Sequence, residues 1–165
     1  MAFDARTLAL RGVLLTSPDA GESGIWQSDT GPAADGTGCI FVITGNCRFD
    51  ADHGGSDLGN SVLALAADDE SLRVADSFTP FDQAALDAED GDLGSGGPML
   101  AGGDTTGPAR LVFASKAGTL YVLRSAAPRW LSRGARCGRR AELHAVRRRI
   151  RRAGLLERPR VHPGQ

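Results

Sequence analysis

The residue types able to do chemistry fall into a few clusters, and most of them lack the spacing that their chemistry requires. Asp50-Ala51-Asp52-His53-Gly54-Gly55-Ser56-Asp57 has the composition of a calcium loop. A helix-loop-helix calcium site needs oxygen ligands at alternate positions and a terminal glutamate that binds through both oxygens. Here Gly54 stands at the third ligand position and Ser61 at the place of the glutamate, so a solvated acidic loop is expected. The same reading applies to Asp87-Ala88-Glu89-Asp90-Gly91-Asp92. Gly94-Ser95-Gly96-Gly97-Pro98 is glycine-rich like a phosphate cradle, but no Gly-Lys-Ser/Thr ends it and no helical pattern follows. It reads instead as the approach to an inner strand, where glycine permits close contact between backbones. His53, His144 and His162 lie in separate contexts and no serine-hydrolase motif accompanies them, which leaves neither a catalytic triad nor a facial metal site. Cys39, Cys47 and Cys137 form no C-x-x-C pair and no zinc spacing. Cys39 and Cys47 are either bonded to each other in an oxidising compartment or two separate thiols.

The elements that must position these residues read as strands. The chain has 165 residues with 22 glycines and only 5% aromatics, a composition that favours short strands joined by tight turns over packed helices. Candidate strands are residues 8–15, a weak one at 31–34, and a strong one in Cys39-Ile40-Phe41-Val42-Ile43-Thr44. Ser61-Val62-Leu63-Ala64-Leu65 follows, and then Leu72-Arg73-Val74-Ala75-Asp76-Ser77-Phe78, whose period-two alternation implies one buried face. Gly97-Pro98-Met99-Leu100, Arg110-Leu111-Val112-Phe113-Ala114 and Thr119-Leu120-Tyr121-Val122-Leu123 then repeat the order of weak, strong and third strand. An internal repeat of about four strands is the sequence mark of a propeller blade. The fold expected is therefore all-β, a β-propeller fragment of about two blades of four-stranded antiparallel sheet. One whole blade would span 24–80, between the last strands of a preceding blade and three strands of a following one.

Charge divides the chain in two. Up to Leu123 there are six basic and 18 acidic residues, and the remainder holds 13 arginines against Glu142 and Glu157, giving about −12 and +11. Residues 1–125 are accordingly read as the β domain and 126–165 as an arginine-rich tail. Leu143, Val146, Ile150 and Ala153 fall at helical spacing among arginines, as in a basic amphipathic helix that meets nucleic acid or an anionic surface. The preferred alternative is an out-of-frame translation, poorly ordered and dispensable, since every basic residue of the tail is arginine. Nucleic acid is not an expected partner. No apolar run is long enough for a membrane span. The start lacks the regions of a signal peptide, and Met1-Ala2-Phe3-Asp4-Ala5-Arg6-Thr7-Leu8 reads as a strand running into a turn inside a domain.

Gly38-Cys39-Ile40-Phe41-Val42-Ile43-Thr44-Gly45-Asn46, followed by a loop, Ser61-Val62-Leu63-Ala64-Leu65 and Phe78-Thr79-Pro80, resembles the blade pattern of pyrroloquinoline-quinone (PQQ) dependent alcohol dehydrogenases and their propeller relatives. Ala2-Phe3-Asp4-Ala5-Arg6-Thr7 and Gly118-Thr119-Leu120-Tyr121-Val122-Leu123 are similar to the repeat motif of that superfamily. The resemblance covers residues 2–125, and Thr44-Gly45-Asn46 is its most specific part. It implies a quinone on the propeller axis between a tryptophan floor and two adjacent cysteines, beside a calcium ion held by an asparagine and a glutamate. Asn46 matches that asparagine, and an amide oxygen is a suitable hard ligand for Ca²⁺. The plainer reading is that Asn46 takes a positive φ in the turn after a strand. The family's catalytic aspartate follows a Thr-Pro pair. Asp87 is its nearest counterpart by distance, with Asp82 and Asp92 as rivals, and the Trp-Asp pair of the active enzymes is missing here, as are the adjacent cysteines.

These departures set the functional expectation. A cofactor whose ligands come from around a ring is not held by one sector of it, so this chain is expected to be non-catalytic and without cofactor, PQQ and calcium belonging to the parent family. Alternatives are a part of a PQQ- and calcium-dependent dehydrogenase acting on an alcohol or sugar, and a propeller scaffold for other proteins. The expected partners are the remaining blades of a parent propeller and further copies of this chain. The resemblance implies a periplasmic or extracellular location.

Overall fold

The computed structural model describes residues 1–28, 30–36, 38–67, 71–102, 110–125 and 143–149. These form three antiparallel sheets and one short α-helix, an all-β architecture as expected. The chain opens with a hairpin of β1 (Ala2–Phe3) and β2 (Leu10–Gly12), shorter than the strand expected over 8–15. Asp4 holds its turn: Oδ1 accepts the N–H groups of Arg6 and Thr7, and Oδ2 is 3.0 Å from the Arg11 guanidinium. The Thr7 N–H, the Arg11 guanidinium and the Thr7 hydroxyl together lower the Asp4 carboxyl to about 2. Gly12 lets this hairpin lie against the next sheet, because a Cβ there would stand 2.6 Å from the Leu72 nitrogen.

The next four strands are β3 (Ala33–Ala34), β4 (Cys39–Ile43), β5 (Val62–Ala67) and β6 (Leu72–Phe78), hydrogen-bonded in chain order. β4 and β5 are runs of branched and apolar residues with no glycine or proline, which suits a pleated surface buried on both sides. Register places Phe41 opposite Ala64 and Ile43 opposite Val62. Because successive side chains alternate, these four share one face, while Val42, Leu63 and Leu65 share the other. The second face packs with Ile40, Leu58, Leu72, Val74 and, from the N-terminal arm, Leu14.

The repeat then recurs as β7 (Met99–Ala101), β8 (Arg110–Ala114), β9 (Thr119–Ser125) and β10 (Leu143–Arg149), again in chain order and antiparallel. Phe41, Ile43, Val62 and Ala64 of the first sheet meet Leu111, Phe113, Tyr121 and Leu123 of the second in one core, which Phe78 and Leu100 flank. Phe113 stacks on Tyr121 with ring centroids 4.9 Å apart, and Phe78 meets the same ring edge-on at 6.4 Å. The short first strands β3 and β7 lie side by side. The glycine-rich segment before β7 behaves as expected: Gly94 passes so close to Thr44 that a Cβ would stand 2.9 Å from its carbonyl oxygen.

Two expectations are corrected. The second sheet has four strands rather than three, and its outer strand comes from the arginine-rich tail. Helical spacing of Leu143 and Val146 gives way to strand pairing, from Leu143 opposite Ser125 to Arg149 opposite Thr119. The physical reason is the edge of β9, whose row of backbone donors and acceptors needs a partner. A short isolated helix would have left that edge bare and would itself be marginal in water. Ile150, Ala153 and the rest of the tail lie outside the described residues. The second correction is helix α1 (Gln83–Ala88), whose last two residues open the stretch 87–92 expected to be an acidic loop; it buries Leu86 against the core. Among the described residues no helix is long and apolar enough to cross a membrane.

Two measurements check this arrangement. Phe41→Ala removes a fully buried ring and should cost about 3–5 kcal/mol in denaturant unfolding, whereas Phe81→Ala, at a side chain 90% exposed, should stay within about 0.5 kcal/mol. A chain ending at Ser125 should melt lower and scatter more light than the full chain, because β9 then loses its outer partner. A truncated chain of unchanged melt would contradict a structural role for β10.

Candidate functional site

The Thr44-Gly45-Asn46 turn lies where β4 ends, and the two sheets are joined around it. Thr44 fixes the exit: its N–H donates to the Ser61 carbonyl at 2.9 Å and its hydroxyl to the Leu58 carbonyl at 2.6 Å. Gly45 follows with its N–H on the Gly24 carbonyl at 2.9 Å and its carbonyl accepting from the Asn60 N–H at 2.8 Å. It faces the half-exposed Trp26, and a Cβ here would be 3.0 Å from the indole nitrogen. A side chain here would push the indole back by a few tenths of an ångström.

Asn46 engages both ends of its carboxamide. Its Nδ2 donates to Asp90 Oδ1 at 2.8 Å, and its Oδ1 accepts from Asn60 Nδ2 at 3.1 Å and from the Asp92 N–H at 3.3 Å. Asn60 is fully buried, and its own Oδ1 accepts the Leu93 N–H at 2.9 Å. Asp90 pairs through its other oxygen with the ammonium of Lys116, in the β8–β9 turn, and Asp92 Oδ2 lies 3.7 Å from the same nitrogen. The Lys116 hydrogen bond and charge hold the Asp90 carboxyl below its ordinary value, and Asp90 in turn raises Lys116. The left-handed residues of the network are Asn60 (φ 45°), Asp90 (52°) and Asp92 (34°) rather than Asn46, which corrects the plainer reading of that residue. Three non-glycine residues held there mark the region as one the surrounding structure over-determines.

This geometry tests the implied calcium ion. Ca²⁺ takes six to eight oxygens. Both acceptor directions of Asn46 Oδ1 are filled by N–H donors, and the Lys116 ammonium already pairs with Asp90 beside it, so the residues present do not fit the ion. Among the described residues no group of three histidines, cysteines or acids is placed to hold a metal. Of the three aspartates considered as catalytic counterparts, Asp92 is the one brought to Asn46. Asp87 lies half-buried on α1, outside the bonds of Asn46, and the Asp82 carbonyl accepts the N–H groups of Ala85 and Leu86 in that helix. Sequence reading missed Asn60, Asp90, Trp26 and Lys116. One signal existed, since Lys116 is the only lysine in the chain and it sits in a tight turn.

A second cluster corrects the solvated-loop reading of residues 50–57 at one position, Asp57, while residues 52–56 are exposed as that reading expects. Asp57 is fully buried, and its Oδ2 accepts from Arg48 Nε at 2.9 Å and Nη2 at 2.5 Å. Its Oδ1 takes the Asp19 N–H at 3.1 Å, and its own N–H donates to Asp50. Burial pushes the Asp57 carboxyl up, but the Arg48 guanidinium and the Asp19 N–H outweigh it and the net shift is downward. Cys47 beside it is a buried free thiol, raised by desolvation, whose Sγ donates to the Gly21 carbonyl at 2.9 Å. It is therefore not bonded to Cys39, which is disulfide-bonded elsewhere.

No protein-family model, curated protein or solved structure matches this chain.

The Arg48–Asp57 pair sets a pH dependence. The folded carboxyl titrates below its ordinary 3.8, so its stabilisation is complete above that value and is lost as pH falls through the lowered one. Thermal melts taken from neutral pH into acid should therefore fall more steeply for the native chain than for Arg48→Ala. That variant should already melt lower at neutral pH, because it leaves a buried carboxylate uncompensated. Parallel curves would show that the pair contributes nothing.

Proposed function

We propose that the chain is a non-catalytic sector of a β-propeller of the PQQ-repeat type, whose Asn46 network holds one blade to the next. The observation that carries this reading is the use of the Asn46 carboxamide. The side chain that the resemblance makes a calcium ligand is spent on Asn60, Asp90 and Asp92, bridging the exit of β4 to the segment before β7. Two consecutive four-stranded meanders packed face to face, with their short first strands adjacent, support the propeller part of the reading. The partners are further blades, whether of a parent chain or of other copies, and the resemblance favours a periplasmic or extracellular setting. An active dehydrogenase would need the Asn46 oxygen opened, Lys116 displaced, and the glutamate, adjacent cysteines and tryptophan floor supplied from elsewhere.

The test is a titration of the purified chain with pyrroloquinoline quinone, with and without Ca²⁺, followed by dye reduction with alcohols and sugars. Absorbance, melting temperature and dye should all stay unchanged. A saturable spectral shift at micromolar quinone that disappears in Asn46→Ala would overturn the non-catalytic reading.

A further inference from the structure

The contact between the two sheets has a direction. Let the front of the first sheet be the face carrying Phe41, Ile43, Val62 and Ala64, and its back the face carrying Val42, Leu63 and Leu65. By strand order and register the matching front of the second sheet carries Val112, Ala114, Leu120 and Val122, and its back carries Leu111, Phe113, Tyr121 and Leu123. The buried core joins the front of the first sheet to the back of the second. The back of the first is covered in part by Leu14 of the N-terminal arm. The units are therefore stacked front to back, all facing one way.

Such a stack has two unlike ends, and both are apolar. At one end the front of the second sheet belongs to neither core cluster of the described residues; Val112, Ala114, Leu120 and Val122 are half-buried there, and Met99, paired with Val112 on that face, is 61% exposed. At the other end the N-terminal arm exposes Phe3, Leu8, Leu10, Val13 and Leu15, the last at 67%. Its hairpin has two strands where each of the other sheets has four. Large apolar side chains left in solvent at such ends are what a protein interface covers.

Resting on the propeller-sector reading, we propose that a second copy of this chain seats its N-terminal arm, residues 1–15, on the front of the second sheet, continuing the front-to-back contact already made within the chain. Continuity with the internal interface selects this occupant. The half-buried front of the second sheet offers the same positions that Phe41, Ile43, Val62 and Ala64 occupy in the first, and the arm is the element that already covers the back of a sheet. The contact is heterologous, so copies add head to tail and either close into a ring or extend.

Sedimentation of the full chain over a range of concentrations tests this. The native chain should sediment above monomer mass. Met99→Glu with Leu120→Glu at the front, or Leu10→Glu with Leu15→Glu on the arm, should each weaken association by about 100-fold or more, since a charge is forced into an apolar contact. Met99→Glu alone, at an exposed site, serves if the double variant does not fold. Mixing the front variant with the arm variant should give a 1:1 heterodimer and nothing larger, because each retains one intact surface. A native chain that stays monomeric, or a mixture that does not combine, overturns the proposal. A monomer indifferent to quinone removes the assembly and leaves the sector reading, whereas a head-to-tail oligomer that binds quinone does the reverse.

Discussion

The packing of Tyr121 between Phe113 and Phe78 is the contact on which the remaining structure depends. It joins β6 of the first sheet to β8 and β9 of the second, and fully buried Phe41, Ile43, Val62, Leu111 and Leu123 complete the same core. Stacked and edge-on aromatic pairs add directional preference to the burial of area, so the sheets are fixed in rotation as well as in separation. The Asn46 network spans that separation. Its hydrogen bonds, from 2.8 to 3.3 Å, form only if β4 and the loop before β7 are held at the right distance by the apolar core beneath them. Polar geometry here is a consequence of hydrophobic packing.

Legibility followed the strength of local patterning. β4, β5, β8 and β9 were readable because runs of Ile, Val, Leu and Phe between turn residues leave few alternatives. β10 was not, because Leu143 and Val146 three residues apart fit a helix, and Leu143-His144-Ala145-Val146-Arg147 has no sustained apolar–polar alternation to mark a strand. The deciding influence was the open edge of β9, a tertiary feature. Helix α1 escaped notice because six residues with one buried leucine make too short a period to see. At the site, Asn46 was legible from a motif, and Asp90 and Lys116 were not, since their pairing joins positions 26 residues apart across a sheet turn. Asp57 was misread because charge in a loop normally implies solvent, and nothing local announces that its carboxylate will turn inward while the exposed Arg48 covers it from the surface.

Lys116 brings a fixed positive charge to the place where the resemblance calls for a metal ion. An ammonium on a flexible stem satisfies two carboxylates without demanding many oxygens around it, and it is part of the chain, so the network is complete on folding. One of the two positive charges that a divalent cation would bring from solution is supplied covalently by a side chain of the β8–β9 turn.

The chain contains a single tyrosine, and it is the ring at the junction of the two sheets. The molecule therefore carries its own optical label for that junction. Far-ultraviolet ellipticity reports how much β structure is present, whether or not the sheets are docked. A chiral tyrosine band in the near ultraviolet arises only when Tyr121 is immobilised against Phe113 and Phe78. Loss of that band with the far-ultraviolet signal retained is the optical signature of a molten intermediate, in which both meanders are formed but have come apart.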